Sequence, residues 1–248
     1  EPFYFFNTAG PPSGWYFIPA PGSAFAVGAR LGNYQSHTSA GWTYSTVTCF
    51  ADGTLIDTLR GPMAVETLRP GMRIILAEGG EATLRAVLHC DVPGVLLAGD
   101  PSLQPIKISA GALGLGLPKR DLWVSRHHRM LVSSPVCDRM FGAREVLVPA
   151  HQLCALPGIY VDAARSAVTY YHMVFDAHCV VLANGAPSES FFPGPEALKS
   201  LSPEARAEFE ALFPNYVAAP EMARFQPPPR LQRKLIERHA RNAKSLLS

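Results

Sequence analysis

Cys49-Phe50-Ala51-Asp52-Gly53-Thr54-Leu55-Ile56 opens a region, residues 49–192, that reads as all-β. It is followed by Gly61-Pro62, by Val65-Glu66-Thr67-Leu68 and by Pro70-Gly71. The last pair makes a turn between a short polar segment and the strand-like Met72-Arg73-Ile74-Ile75-Leu76. Further short strands are expected at Leu122–Val124, Met130–Val132, Glu145–Val148, Val168–Tyr171 and Cys179–Leu182, separated by turn signals. No long stretch in the region carries strong helical periodicity. Ile108 to Leu117 is Gly-rich and reads as a loop.

Both flanks differ from this centre. Residues 1–48 are rich in aromatics, Gly and Pro, as in Phe3-Tyr4-Phe5-Phe6 and Gly14-Trp15-Tyr16-Phe17, and their only charged residues are Glu1 and Arg30. So many aromatics argue for short strands or turns packed on a neighbour rather than a solvated tail. The segment lacks the basic residues that would support a membrane-surface role, and the basic start and continuous apolar core of a signal peptide. Residues 193–248 read as a helical, Pro-containing basic tail. Ser202-Pro203-Glu204 supplies an N-cap, a first-turn Pro and an acidic residue for a helix to about Phe213. Pro227-Pro228-Pro229 is a stiff spacer. Leu231 to Leu247 is a second, basic helix, either solvated, docking by Leu231, Leu235 and Ile236, or serving as a membrane-surface or nucleic-acid arm.

Composition bounds the function. A chain of 248 residues, 48% hydrophobic and 17% charged, can bury a sizeable core and is not disordered throughout. The net charge of +2 gives no reason to expect nucleic-acid binding. Gly 20 and Pro 23 favour many short strands over a helical bundle. No apolar run approaches the ~20 residues of a membrane helix. Five cysteines, Cys49, Cys90, Cys137, Cys154 and Cys179, form no CxxC pair, which leaves zinc-knuckle spacing absent and a complete disulfide framework impossible. No spacing among the His residues fixes a metal geometry, so no metal or other cofactor is expected.

The run from Cys49 resembles the opening of Hedgehog/intein (Hint) domains, and within them looks like the bacterial Hint-like domains that are not full inteins. Two further segments fit in order. Ser125-Arg126-His127-His128 resembles the family's Thr-x-x-His motif, with Ser125 replacing Thr. Tyr171 through Gly185, ending Val180-Val181-Leu182-Ala183-Asn184-Gly185, resembles the strand pair near the domain's C-terminal end. The resemblance covers about residues 49–192 and implies an all-β, pseudo-twofold horseshoe of short strands with a C-terminal helical extension.

It also implies autoprocessing. The first Cys attacks the carbonyl of the preceding bond, here Thr48–Cys49, and a thioester replaces the amide. A thiolate is a strong nucleophile once its proton is removed. An amide nitrogen leaves only if protonated as the tetrahedral adduct collapses, which an imidazole can do near neutral pH. The motif gives that role to His128, and Ser125 is placed to hydrogen-bond or distort the scissile peptide. On residue type alone Cys49 would be a core thiol, Ser125 a strand hydroxyl, and His127 the opposite-facing neighbour of His128 on a strand.

A second cluster joins His172 and His178 with Asp176 nearby. His172 falls where inteins often carry an Asp, and reads equally as a base or as a structural His at a strand edge. His127, Asp176 and His178 read as secondary candidates, the last two alternatively as a turn pair. Met72 stands where the family often has an Asp. Inteins end with His-Asn; the matching stretch here is Ala186-Pro187-Ser188-Glu189-Ser190, so complete splicing is not expected. The expected partner is residues 1–48 in cis, with water or another small nucleophile resolving the thioester and a sterol acceptor disfavoured. The other readings are a silent Hint scaffold within a larger surface or secreted protein, and a Cys–His protease acting in trans, for which no substrate groove is marked. The compartment, cytoplasmic or exported as part of a larger bacterial protein, is not legible.

Overall fold

The computed structural model describes residues 48–191 and 221–248 in full, and residues 3–8 and 14–19 as backbone. The chain divides into two compact units, Glu1–Gly41 and Trp42–Ser248. In the first, β1 (Phe3–Thr8) and β2 (Gly14–Pro19) form an antiparallel hairpin in register Phe3↔Pro19 to Thr8↔Gly14. Short strands are thus present where the aromatic runs predict them. The helix expected from Ser202 to Phe213 lies outside the described residues.

The second unit is built from short strands: β3 (Phe50–Ala51), β4 (Leu55–Thr58), β5 (Gly61–Ala64), β6 (Arg73–Ile75), β7 (Glu81–Thr83), β8 (Ala86–Val92), β9 (Ile106–Ile108), β10 (Leu122–Val124), β11 (Arg129–Ser133), β12 (Glu145–Pro149), β13 (Ile159–Val161), β14 (Val168–Val174), β15 (Val180–Ala183) and β16 (Ala186–Glu189). One sheet has the order β13-β9-β10-β3-β14-β8. The other runs β12-β11-β16-β15-β4-β6-β7, with β5 paired to β4. Strand pairing within both sheets is antiparallel.

Inward-facing residues of both sheets, including Phe50, Ile56, Ile74, Ile108, Val132, Val148 and Val181, form the main core. Alternation along a strand sends neighbours to opposite faces. Phe50 therefore enters the main core, while Cys49 and Ala51 join a second cluster with Leu88, Leu97, Leu103, Tyr170 and Phe191. Asn184-Gly185 closes the β15–β16 hairpin with φ of 48° and 79° at its two loop residues, the left-handed pair that matches strand twist.

Three short helices interrupt the strands: α1 (Gly94–Gly99), α2 (Pro135–Phe141) and α3 (Ala150–Leu153). They are too short to show periodicity, so a reading by hydrophobic pattern passes over them. The ends of α2 do carry local signals. Ser134 Oγ accepts the Cys137 N–H at 3.3 Å, Pro135 opens the helix, and Gly142 ends it in the left-handed region.

The tail contains α4 (Pro229–Arg241), which ends six residues before the expected Leu247. Asn242 Nδ2 donates to Arg238 O at 2.8 Å, and Ala243 turns the chain away with a φ of 47°. Leu235 and Ile236 are buried in the main core, so the docking alternative holds for this helix. Past the turn, Leu247 bridges Ser133 in parallel, and Ser248 N–H donates to Ser133 O at 3.0 Å. His239 Nδ1 donates to Lys244 O at 3.0 Å, which leaves Nε2 to accept the Ser134 hydroxyl at 3.1 Å.

Candidate active site

β3 is two residues long and lies between β10 and β14, with Phe50 opposite both Val124 and Tyr171. The residue before Phe50 is thereby held between the residues that extend those registers, Ser125 and His172. That residue is Cys49. The antiparallel ladder continues past β10, where Ser125 N–H donates to Cys49 O at 3.0 Å. Cys49 N–H in turn donates to Ser125 Oγ at 3.0 Å. Ser125 therefore grips Cys49 from both sides and accepts the hydrogen of the amide nitrogen in the Thr48–Cys49 bond.

On the other side His172 faces the same bond. Its Nδ1 is 2.8 Å from Thr48 O, and its Nε2 is 3.6 Å from Cys49 Sγ. A carbonyl oxygen only accepts, so Nδ1 carries the hydrogen and Nε2 presents its lone pair to the thiol. One imidazole thus touches both the Thr48 carbonyl and the Cys49 thiol. Burial pushes His172 down to about 4, against an opposing pull from the Thr48 hydrogen bond. Burial also holds the Cys49 thiol well above its ordinary value, despite a hydrogen bond from Ser125. At neutral pH the pair rests as neutral thiol and neutral base. Phe191 packs edge-on against His172, with ring centroids 5.1 Å apart, and fixes its plane.

His128 sits on the opposite face of β3. It is 1% exposed, and its ring stands edge-on to Phe50 with centroids 4.3 Å apart. Neither ring nitrogen has a hydrogen-bond partner among the described residues. Its backbone N–H donates to Ser125 O at 3.1 Å, so Ser125 and His128 are joined by a tight turn. Burial brings its ring down to about 4; Glu189 opposes this shift, while Arg129, His172 and His178 reinforce it. His127 is part of that turn rather than of a strand, and rests against His151 with centroids 4.9 Å apart.

The remaining candidates separate. Asp176 is an exposed partner of Arg85 at 2.6 Å. His178 is buried, with Nδ1 accepting the Ala223 N–H at 3.1 Å and Nε2 3.5 Å from Glu189 Oε2. Glu189 and Arg129 were not singled out by the sequence. The Glu189 side chain is fully buried and takes hydrogen bonds from Arg129 N at 2.7 Å and Arg129 Nη1 at 3.0 Å. A signal for it exists: Glu189 is the sole Asp, Glu, Lys or Arg between Asp176 and Glu196.

The family model described as Hint domain matches residues 48–195, more than half of the chain. The chain belongs to the Hint domain family. Among solved structures, this Hint domain is similar to a bacterial intein-like domain from Clostridium thermocellum, with 15% identity, 58% of this chain and 98% of that one covered, and a TM-score of 0.41. A DnaB intein from Synechocystis sp. PCC 6803 is 10% identical, with 58% and 98% covered and a TM-score of 0.35. The gp41-1 intein is 11% identical, with 57% and 97% covered and a TM-score of 0.35. No curated protein matches the chain. The Hint fold is an autoprocessing type of scaffold, and here it gathers Thr48, Cys49, Ser125 and His172 around one peptide bond.

Proposed function

We propose that this Hint domain cleaves the Thr48–Cys49 bond by an N-to-S acyl shift, giving a thioester that water or another nucleophile resolves. The observation that carries the reading is the bridge by His172 between Cys49 Sγ and Thr48 O. As Sγ bonds to the Thr48 carbonyl carbon, the thiol proton passes to His172 Nε2. The charge that develops on the carbonyl oxygen meets the Nδ1–H already bonded to it. The adduct collapses when the Cys49 nitrogen gains a proton and the C–N bond breaks, leaving a free amine and a thioester. His128 is the group assigned to supply that proton, and its unpartnered buried ring suits a group whose hydrogen bond forms only during reaction. Ser125 holds the nitrogen in place. Attack by water then releases the Thr48 carboxylate and restores the Cys49 thiol. With Ser190 where inteins end in Asn, the reaction stops at cleavage.

The burial of Cys49 and its raised thiol favour a second reading, a silent scaffold. Intact mass spectrometry of the full chain beside Cys49→Ala, with dithiothreitol or hydroxylamine, separates them. Release of residues 1–48 only with Cys49 present, and faster with added nucleophile, supports cleavage through a thioester. Two intact proteins after long incubation would leave the scaffold.

A further inference from the structure

Glu189 is a fully buried carboxylate paired with Arg129. Burying a carboxylate is costly in desolvation, and a buried ion pair is often no more stabilising than apolar residues of the same volume. Yet its side chain has no exposure, and it gathers contacts from several elements: Arg129 at the start of β11, His178 before β15 and, through His178 Nδ1, Ala223 of the tail. Burial works to raise its carboxyl, but Arg129 and His178 more than offset this and hold it below the ordinary carboxylate value. It stays ionised at neutral pH.

Arg129 directly follows His128, and its N–H on Glu189 Oε1 anchors the end of the turn from Ser125 to His128. The charged or titratable groups facing His128 are Glu189, Arg129, His172 and His178, and Glu189 is the anion among them. The thiol and its base lie on one face of β3, with His128 and the Glu189 network on the other.

We propose that Glu189 is a positioning residue for the cleavage: through Arg129 it holds the Ser125–Arg129 segment in register, and so places the His128 ring that delivers to the Cys49 nitrogen. This rests on the cleavage reading above. Glu189 touches none of the reacting atoms and acts through His128. The inference goes beyond the Thr-x-x-His motif, which names the imidazole but not what readies it.

The test follows cleavage of the full chain against pH, with hydroxylamine as nucleophile, for the wild type, Glu189→Gln and Arg129→Gln/Glu189→Gln. Glu189→Gln keeps the acceptor for the Arg129 N–H and removes the charge. The expected result is cleavage at least about tenfold slower at pH 7, within the range for general-acid contributions. The fall in rate with rising pH should also begin at lower pH, because loss of a neighbouring anion makes the imidazolium shed its proton sooner. The double variant leaves no buried charge unpaired and should shift the profile the same way by less, so it carries the test if Glu189→Gln does not fold. Wild-type rate and profile in the folded variants, or a rate loss that only tracks the folded fraction by circular dichroism, would overturn the role of Glu189. A wild type without Cys49-dependent cleavage would instead overturn the cleavage reading, and this inference with it.

Discussion

His172 Nδ1 donates to Thr48 O at 2.8 Å, while the other nitrogen of the same ring faces Cys49 Sγ at 3.6 Å. The first contact dictates the second, because a hydrogen on Nδ1 leaves a lone pair on Nε2. Both contacts are therefore made by one side chain on one strand, β14, placed opposite Cys49 by the register that pairs Tyr171 with Phe50.

Replacing His172 separates these two duties. His172→Gln retains an amide N–H for the Thr48 carbonyl but has no basic nitrogen, and His172→Ala has neither. Nucleophile-induced cleavage should fall about 10²-fold or more in Gln, in the range for a general base, and further in Ala. Fragment release by intact mass spectrometry measures both. Equal rates in wild type and His172→Gln would remove His172 as the base.

Ser125 is the acceptor for the buried Cys49 N–H, and removing one partner of a buried hydrogen bond costs about 1–3 kcal/mol. Ser125→Ala should unfold more easily by that order and cleave more slowly, since the scissile nitrogen loses its anchor. Ser125→Thr keeps the hydroxyl and should recover most of both. Thermal melts and cleavage rates measured together distinguish an anchor from a hydroxyl that only fills space.

Much of this was legible in the sequence, for definable reasons. The β-rich centre, with Cys49, Ser125 and His128, carries local signals: turn residues, short apolar runs and a motif of fixed spacing. His172 was visible as a candidate, but its contact with Thr48 depends on β3 lying between β10 and β14, a pairing across more than 120 residues that no local pattern encodes. Glu189 and Arg129 were missed because their meaning lies in a buried cross-strand pair. The helices α1 to α3 escaped because four to seven residues cannot display a 3.6-residue period. Asp176 and His178, two apart in sequence, turn to an exposed ion pair and a buried network respectively, which proximity in the chain could not foretell.

Acid should destabilise the folded chain before it titrates the carboxylates. His128 and His172 are each held at about 4, below the 6.5 of an unperturbed imidazole. Between those values the unfolded chain binds protons that the folded one does not, so stability rises with pH there. The contribution is complete above about pH 6.5 and is lost as pH falls toward 4. Urea unfolding at pH 7.5 and 5.0 should show a loss of at least about 2 kcal/mol at the lower pH, and His172→Gln should lose less over the same interval. His151 and His239, which burial also holds low, add to the slope in both proteins. A flat profile would mean that the rings are solvated or paired in a way that burial forbids.

Leu235 has no exposure and packs in the main core with Ile236, Leu246 and Leu247, whereas Lys234 beside it on α4 is exposed. Truncating a fully buried Leu costs about 2–5 kcal/mol through lost transfer energy and the cavity left behind. A surface substitution usually stays within about 0.5 kcal/mol. Leu235→Ala should therefore lower the midpoint of the single unfolding transition of the unit containing Cys49, while Lys234→Ala leaves it in place. Phe191, which packs on His172, belongs to that unit, and the Glu189 network reaches Ala223 of the tail through His178. Cleavage by Leu235→Ala should accordingly fall with its folded fraction as denaturant is added. An unchanged melt in Leu235→Ala would make α4 an appendage, which its contacts with the main core speak against.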